Sequence, residues 1–486
     1  MARSPETLGP DPKGVDQVDR VSYGDLVGKG RLNPLDLFDV RHYGAIGDGS
    51  HDDTAAIARA IAAAVKKGGG QVYLPPGTYK TTAAIVLASE VTLAGAGLKT
   101  IIQRSTGTGG IVEIPASNRA IIQDLRLDGV NGGSGRDGVL FTGAWGVGTA
   151  VWAGVRGLYI NNCDNGIAGK GVESTNIFDC HIKDCTGGVV MEDAWINVTV
   201  NGVSVRNSTI GFQTLEAGQN CQGVRFIGCD ALICASPFAV DEGLAIDFIG
   251  CVFDQSSDPG FVRAGSQVHF TTCWFSNTLA GSTDAMVFIE PSIGGVGDVT
   301  FSQCNFHGSP FYAVVIQQHP ASSRVPTDIS FDTCIFADNG SASDGGDILI
   351  SSDGAMRVNI RGCNLRTTAA PRNIAMSGNP ISVFVSECRI AKGISPIVVG
   401  SIVVRECNGY QTVTTGRATG TGAQQTIAHG LALTPSPTNR GHIFLTKFHS
   451  LADPYVSAVP DATNIYITSP NASDFEWMCE ILGRQP

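Results

Sequence analysis

Val224-Arg-Phe-Ile-Gly-Cys229, Ile246-Asp-Phe-Ile-Gly-Cys251 and Val268-His-Phe-Thr-Thr-Cys273 decide the fold. Each alternates apolar and polar residues ahead of a cysteine, the period of two that marks a strand with one buried face. The phrase returns as Val299-Thr-Phe-Ser-Gln-Cys304, Ile329-Ser-Phe-Asp-Thr-Cys334, Val358-Asn-Ile-Arg-Gly-Cys363, Val383-Phe-Val-Ser-Glu-Cys388 and Ile402-Val-Val-Arg-Glu-Cys407. Upstream, Cys163 and Cys180 close similar phrases, and Val203 stands where the next cysteine would be. These positions lie 17 to 31 residues apart. Turns at Gly, Asn or Asp separate the units, often followed by a second β-rich piece such as Phe238-Ala-Val-Asp241. A unit this short cannot bury its apolar face alone, whereas a stack of units can. The repeat therefore predicts an all-β chain, a parallel β-helix with coils about 4.8 Å apart. Its cysteines form one inward column. A disulfide between coils would need Cβ atoms closer than the ladder allows, so the thiols read as reduced core residues.

Composition agrees. Of 486 residues, 43% are hydrophobic and only 16% charged, against about 25% charged in ordinary globular chains. The 61 glycines have no period of three. Disorder, coiled coils, helical arrays and collagen are excluded. A net charge of −11 argues against a basic face for nucleic acid. No apolar run reaches the roughly 18 residues of a membrane span; the longest candidate, Ala55 to Val65, carries Arg59. Met1 to Asp19 lacks an apolar segment, so no secretory signal is expected. The 14 cysteines do not form CxxC pairs. Cys180, His181 and Cys185 are the nearest thing to a metal cluster, but Cys180 belongs to the repeat, and no metal is predicted. After Tyr410 the cysteine spacing stops. Strand-like pieces at Ile443–Thr446, Ala462–Thr468 and Phe475–Ile481 follow, separated by turns, and predict a small β-sandwich. The chain thus divides into 1–37, 38–410 and 411–486.

A β-helix presents outer side chains in columns, so functional residues should recur at a fixed offset from the repeat position. Twelve to thirteen residues beyond Cys180, Val203 and Cys229 lie Glu192 and Asp193, Glu216, and Asp241 and Glu242. Equivalent positions on other coils hold Lys170, Arg263, Glu290, Gln317 and Ser351. Carboxylates one coil apart sit about 5 Å apart, and two coils apart about 10 Å. The first separation suits retaining and the second approaches inverting glycoside hydrolysis; crowding raises the pKa of one partner, as a general acid requires. The expected catalytic residues are Glu192 or Glu216 with Asp241, and Glu242 beside it. Asp193, Arg263, Lys170 and Trp195 are expected to contact substrate. Trp145, Trp152 and Trp274 are further aromatic platforms if exposed. A bland alternative is a solvated acidic stripe. Hydrolysis needs no cofactor. Three carboxylates could instead hold Ca²⁺, with Arg263 or Lys170 abstracting a proton beside a uronate carboxylate.

Phe38-Asp-Val-Arg-His-Tyr-Gly-Ala-Ile-Gly-Asp-Gly-Ser-His-Asp-Asp-Thr54, followed by Ala55 to Lys67 and Gly68-Gly-Gly-Gln-Val-Tyr-Leu-Pro-Pro-Gly-Thr-Tyr79, resembles the entry of the pectate-lyase-like right-handed β-helix superfamily. That entry is common in phage tail spikes and related polysaccharide-degrading enzymes. The resemblance implies a right-handed, three-sheet solenoid whose open end is closed by a helix over Thr54–Lys67. Asp52 or Asp53 would cap that helix, and Ile57, Ile61 and Val65 would be its buried face. It further implies a tail-spike-like, homotrimeric virion protein that binds and depolymerises a host cell-surface polysaccharide, by glycoside hydrolysis ahead of Ca²⁺-dependent lyase chemistry. The rival is a non-catalytic receptor-binding or structural tail protein, and fold alone does not choose. Residues 1–37 would attach to other tail proteins or serve as a linker, and 411–486 would trimerise the spike or bind glycan. Such a protein is made in the host cytoplasm and resides in the virion tail, or otherwise acts outside cells. The Asn-x-Asp, Asp-Asp and Gly-His-Gly pattern of polygalacturonases is absent, so pectin hydrolysis is not carried over.

Overall fold

The computed structural model describes residues 37–130, 135–144, 148–215, 221–276, 285–321, 324–341, 345–352, 354, 356–368, 370–378, 382–394 and 402–408, and six later strands between 413 and 481. The segment 1–36, including nearly all of the expected attachment region, lies outside the described residues.

Parallel strands stack from Leu37–Asp39 to Ile402–Arg405 as a right-handed β-helix. Two of its three faces merge into a 29-stranded sheet, and the third is a separate 14-stranded sheet. The merger has a local cause: Val172 pairs with Trp195 and Ile196 with Gln222, so hydrogen bonding runs around the corner between two faces. The first face contains Gly187–Ile196, Ile210–Thr214, Ser236–Val240 and Gly260–Val262. The second holds the strands of the repeated phrase, Gln222–Ile227, Leu244–Ile249 and Gly265–Thr271 among them.

The residue before each repeat cysteine is left-handed: φ is 57° at Gly228, 62° at Gly250, 53° at Thr272 and 53° at Thr333. A β-branched residue there is strained. The strain is offset because the turn stays in the ladder: Thr272 N–H donates to Ser302 O at 2.9 Å and Thr333 N–H to Arg361 O at 2.8 Å. The phenylalanine three residues before the cysteine stacks on its counterpart in the next coil. Phe226, Phe248, Phe270, Phe301 and Phe331 form a column with centroids 4.6 to 5.0 Å apart. Ring spacing and strand spacing coincide, so the backbone ladder and the aromatic stack enforce one register.

The cysteine column is free of disulfides and buried, save for half-buried Cys407 at its end. From Cys229 onward the thiols donate to a carbonyl one coil back: Cys251 to Phe226 O at 3.4 Å, Cys273 to Phe248 O at 3.2 Å, Cys304 to Phe270 O at 3.3 Å. Cys163 is a correction to the repeat. Leu158, after left-handed Gly157, occupies the repeat position on that coil. Cys163 instead follows left-handed Asn162 at another corner, in a column with Cys185, Ser208 and Cys234. Both corners place a left-handed residue before a small buried one, so the sequence phrases look alike.

The helix α1 spans Thr54–Lys66 and buries Ala56, Ile57, Ala60, Ile61 and Ala64 against the first strands. The expectation for Val65 is overturned: it is exposed, because the alanines at this spacing let the helix lie closer with a face one residue away. Asp52 Oδ1 accepts from Thr54 N–H at 3.0 Å. Asp53 is fully buried and holds the preceding loop, accepting from Ile46 N at 2.7 Å and Gly47 N at 3.1 Å. No helix among the described residues is long and apolar enough to cross a membrane.

Six C-terminal strands pair as two three-stranded antiparallel sheets: Val413–Thr419, Asp474–Ile481 and Gly441–Lys447 in one, Gln424–Ala428, Asn464–Thr468 and Tyr455–Ala458 in the other.

Candidate functional site

The first face places Glu192, Asp241, Arg263 and Glu290 at one register position. Backbone register runs Met191–Thr214–Val240–Val262–Ile289–Ile316–Ile350. The residues one further on are Glu192, Leu215, Asp241, Arg263, Glu290, Gln317 and Ser351. Their amides repeat one bond to the coil before: Leu215 N to Met191 O, Asp241 N to Thr214 O, Arg263 N to Val240 O, Glu290 N to Val262 O. On the second of these coils the column position is Leu215. Glu216 lies outside the described residues.

A bulge precedes Glu192. Gly169 pairs with Met191 but Lys170 with Asp193, so Glu192 is the extra residue. Opposite inward Val172, the Trp195 ring is fully buried, edge-on to Phe141 at 5.4 Å, with Nε1 donating to Gly169 O at 2.7 Å. Trp195 is a core residue and not a platform for substrate: it shares the inward parity of Val189 and Met191 on its strand. Trp152 and Trp274 are exposed; Trp152 lies under the Arg119 guanidinium, and Trp274 stacks on His307. Trp145 lies outside the described residues.

Asp241 is the best-held member of the column. Arg263 Nε sits 2.9 Å from its Oδ1, and Gln213 Nε2 donates to its Oδ2 at 2.9 Å. Its side chain is 5% exposed, so it does not project into solvent as an unbroken outward column would have it. The corner folds it back between the two neighbouring coils. Arg263 lies over the Phe261 ring, 4.6 Å from the centroid. Its pairing with Asp241 and its seat on Phe261 hold the guanidinium in place. The neighbouring pair repeats the arrangement, with Gln317 Nε2 donating to Glu290 Oε1.

Asp193 and Glu242 flank a buried thiol. Burial pushes Cys221 up to about 12, and the charges of Glu242 and Asp193 add to it. Glu192 and Asp241 stand two coils apart, about 10 Å along the ladder. Sequence reasoning missed Asp137, a buried carboxyl on Arg136–Thr142. Burial lifts it to about 6 despite bonds from Asn165 N at 3.0 Å and Asn165 Nδ2 at 2.8 Å; Asp164 and Glu192 add like charge. Among the described residues no group of three His, Cys, Asp or Glu converges as metal ligands would.

A groove of about 540 Å³ opens at Asp241 and Glu242. It crosses Gly243, Gly265 and Ser266 and is bounded by the Ile293–Gly297 segment and Thr327. The segment is pinned from below, since Ile293 N and Gly294 N reach Arg263 O, and from outside, since Arg324 Nη1 donates to Ile293 O. The signal in the sequence was Gly294-Gly295 within the longest spacing of the repeat, Cys273 to Cys304.

Residues 37–128 match the model of the rhamnogalacturonase A/epimerase, pectate-lyase-like family. Mannuronan C5-epimerase AlgE6 of Azotobacter vinelandii is 42% identical over 107 residues, which is 19% of this chain and 12% of that protein. The chain thus aligns with only a small part of that relative. Among solved structures, the tailspike protein gp49 of Pseudomonas phage LKA1 superposes with a TM-score of 0.62 at 12% identity, covering 92% of this chain and 100% of the other. The catalytic unit of a GH87 α-1,3-glucanase from Streptomyces thermodiastaticus gives 0.53 at 16% identity, covering 77% and 69%. Identities this low speak for the fold alone. The chain is thus a right-handed parallel β-helix whose first coils match the pectate-lyase-like model, similar in fold to a phage tailspike and to a polysaccharide-acting enzyme.

Proposed function

We propose that the chain binds a host surface polysaccharide in the groove beside Asp241 and Glu242 and cleaves it by glycoside hydrolysis, as part of a trimeric phage tail spike. The observation that carries this reading is an open groove that begins at Asp241 and Glu242; Glu192 stands two coils back in the same column, outside the groove lining. Glu192 and Asp241 are the proposed carboxylate pair. Their two-coil separation is close to the span that admits a water on the far side of the sugar, the inverting arrangement. Asp241, oriented by Arg263 and Gln213, is the proposed base. Lys170 and Asp193, paired one coil earlier, would extend contacts along the polymer. The likeness to a tailspike over nearly the whole chain supports the virion role, and the epimerase and glucanase relatives support polysaccharide as the substrate class. Ca²⁺-dependent elimination is the alternative chemistry. Incubation with capsule or lipopolysaccharide from the host should shorten the polymer without new absorbance near 235 nm. Shortening with that absorbance selects elimination; binding without shortening leaves a receptor-binding protein.

A further inference from the structure

The corner between the first and second faces carries a column of left-handed residues, one per coil. Arg119, Trp152, Ser174, Asn197, Gly223 and Ala245 follow one another there, with φ between 50° and 64°. The ladder runs through the corner: Arg119 N–H donates to Val151 O, Trp152 N–H to Glu173 O, Ser174 N–H to Ile196 O and Asn197 N–H to Gln222 O. The fold therefore imposes this turn whatever side chain stands on it.

Trp152 is the odd occupant. Among the described residues it is the only aromatic side chain on a left-handed backbone, where Gly and Asn are at ease and a bulky residue is strained. Core packing does not offset the strain, since Trp152 is 57% exposed. The indole is nevertheless held. The Arg119 guanidinium, one coil back, lies over the ring 5.6 Å from its centroid, and Arg119 Nη1 is 3.5 Å from Glu90 Oε1. Ser174, one coil on, is too small to cover the ring from the other side. A strained backbone that presents a positioned, exposed ring points to a use for that ring. An indole takes the C–H face of a pyranose, and the Ser174 hydroxyl and Asn197 amide supply partners for its hydroxyls.

The same column leads to the groove. Ala245 follows Leu244, which lines the groove, and stands four coils on from Trp152, about 19 Å by strand spacing. The coils of Ser174 and Asn197, which lie between, are those that carry Lys170 and Asp193. Resting on the reading of the groove as the polysaccharide site, we infer that Trp152 is a second sugar-binding subsite, which stacks a pyranose of the same polymer as it runs along this corner.

Trp152→Asn separates binding from folding, because Asn suits the left-handed turn better than Trp. Its melting temperature should equal or exceed that of wild type. Trp152→Ala is the second variant. Gly295→Trp reports on the groove, because a Cβ built at Gly295 meets nothing within 4 Å. The full chain and these variants are compared on immobilised bacterial capsular polysaccharides and O-antigens, with alginate and α-1,3-glucan. Binding to at least one polymer is expected, weakened about tenfold or more by each variant, the scale of one lost aromatic contact at Trp152. Binding that falls with Gly295→Trp but not with the Trp152 variants would overturn the inference and leave the groove as the polysaccharide site. Binding that falls with the Trp152 variants alone would contradict the groove, and with it the shared polymer. No binding by wild type, or none sensitive to any variant, would overturn both. Altered sedimentation of Trp152→Asn would make Trp152 a contact between copies and would also overturn the inference.

Discussion

Asp241 and Arg263 hold each other in place, with Asp241 almost wholly out of solvent. Removing one partner of such a pair strands the other's charge, which costs more than the pair contributes. Arg263→Ala is expected to lower stability by about 3 kcal/mol in chemical denaturation, and Arg263→Ala/Asp241→Ala by clearly less; equal losses would mean that the pair is not coupled. A second buried carboxyl, Asp347, accepts from Asn339 Nδ2 at 2.9 Å, Asn373 Nδ2 at 2.7 Å and Thr367 Oγ1. Burial still lifts it to about 6. A carboxyl raised in the folded state binds its proton more tightly folded than unfolded, so its contribution is fully present below about pH 4 and is lost as pH rises through 6. The loss is about 3 kcal/mol at most, for a shift of two units. Asp347→Asn should flatten this part of the stability profile between pH 4 and 6.5, and an unchanged slope would assign it elsewhere. At this scale the sequence was legible wherever a residue sat a fixed distance from a repeat cysteine, as Glu192, Asp241 and Arg263 do. It failed at Trp195, because an indole suits a sugar platform and a core alike, and its inward parity with Val189 and Met191 puts it in the core.

The coil is the element, and its cysteine shows how it is built. Cys273, Cys304 and Cys334 pack under the phenylalanine stack and donate to carbonyls one coil back. Burial pushes Cys180, in the same column, up to about 12. A protonated, enclosed thiol does not react. Native protein should therefore titrate slowly with a thiol reagent and denatured protein completely, and fast native reaction of Cys229 to Cys388 would contradict the column. Cys304→Ala should cost about 1 kcal/mol, the scale of one neutral hydrogen bond. The strands were readable because the phrase carries both inward residues, the aromatic and the thiol. Cys163 was misplaced because two different corners share the left-handed-then-buried grammar. The groove was hidden because it depends on where Ile293–Gly297 lies against Arg263 O, a long-range contact that no local pattern encodes.

A solenoid of this length exposes its lateral faces along many coils, and symmetric association is the usual way to cover such surfaces. The two antiparallel sheets after Val413 are the proposed trimerisation element. The full chain should sediment as a trimer and a chain ending near residue 410 as a monomer or aggregate; a monomeric full chain would sink the proposal. The whole-molecule fold was legible from the repeat and from the entry at Phe38–Tyr79, since a stack of strand units has few ways to close. The reaction was not, since it depends on two side chains meeting one substrate. That claim is tested most directly by the rate at which host polysaccharide is shortened by wild type, Glu192→Gln, Asp241→Asn and Glu290→Gln, each first checked for a native melting curve. Glu192→Gln and Asp241→Asn should each lose at least a hundredfold, the scale of a lost general acid or base at about 10²–10⁴, while Glu290→Gln stays within a few fold of wild type. Equal rates for all four, or no shortening by wild type, would contradict the account.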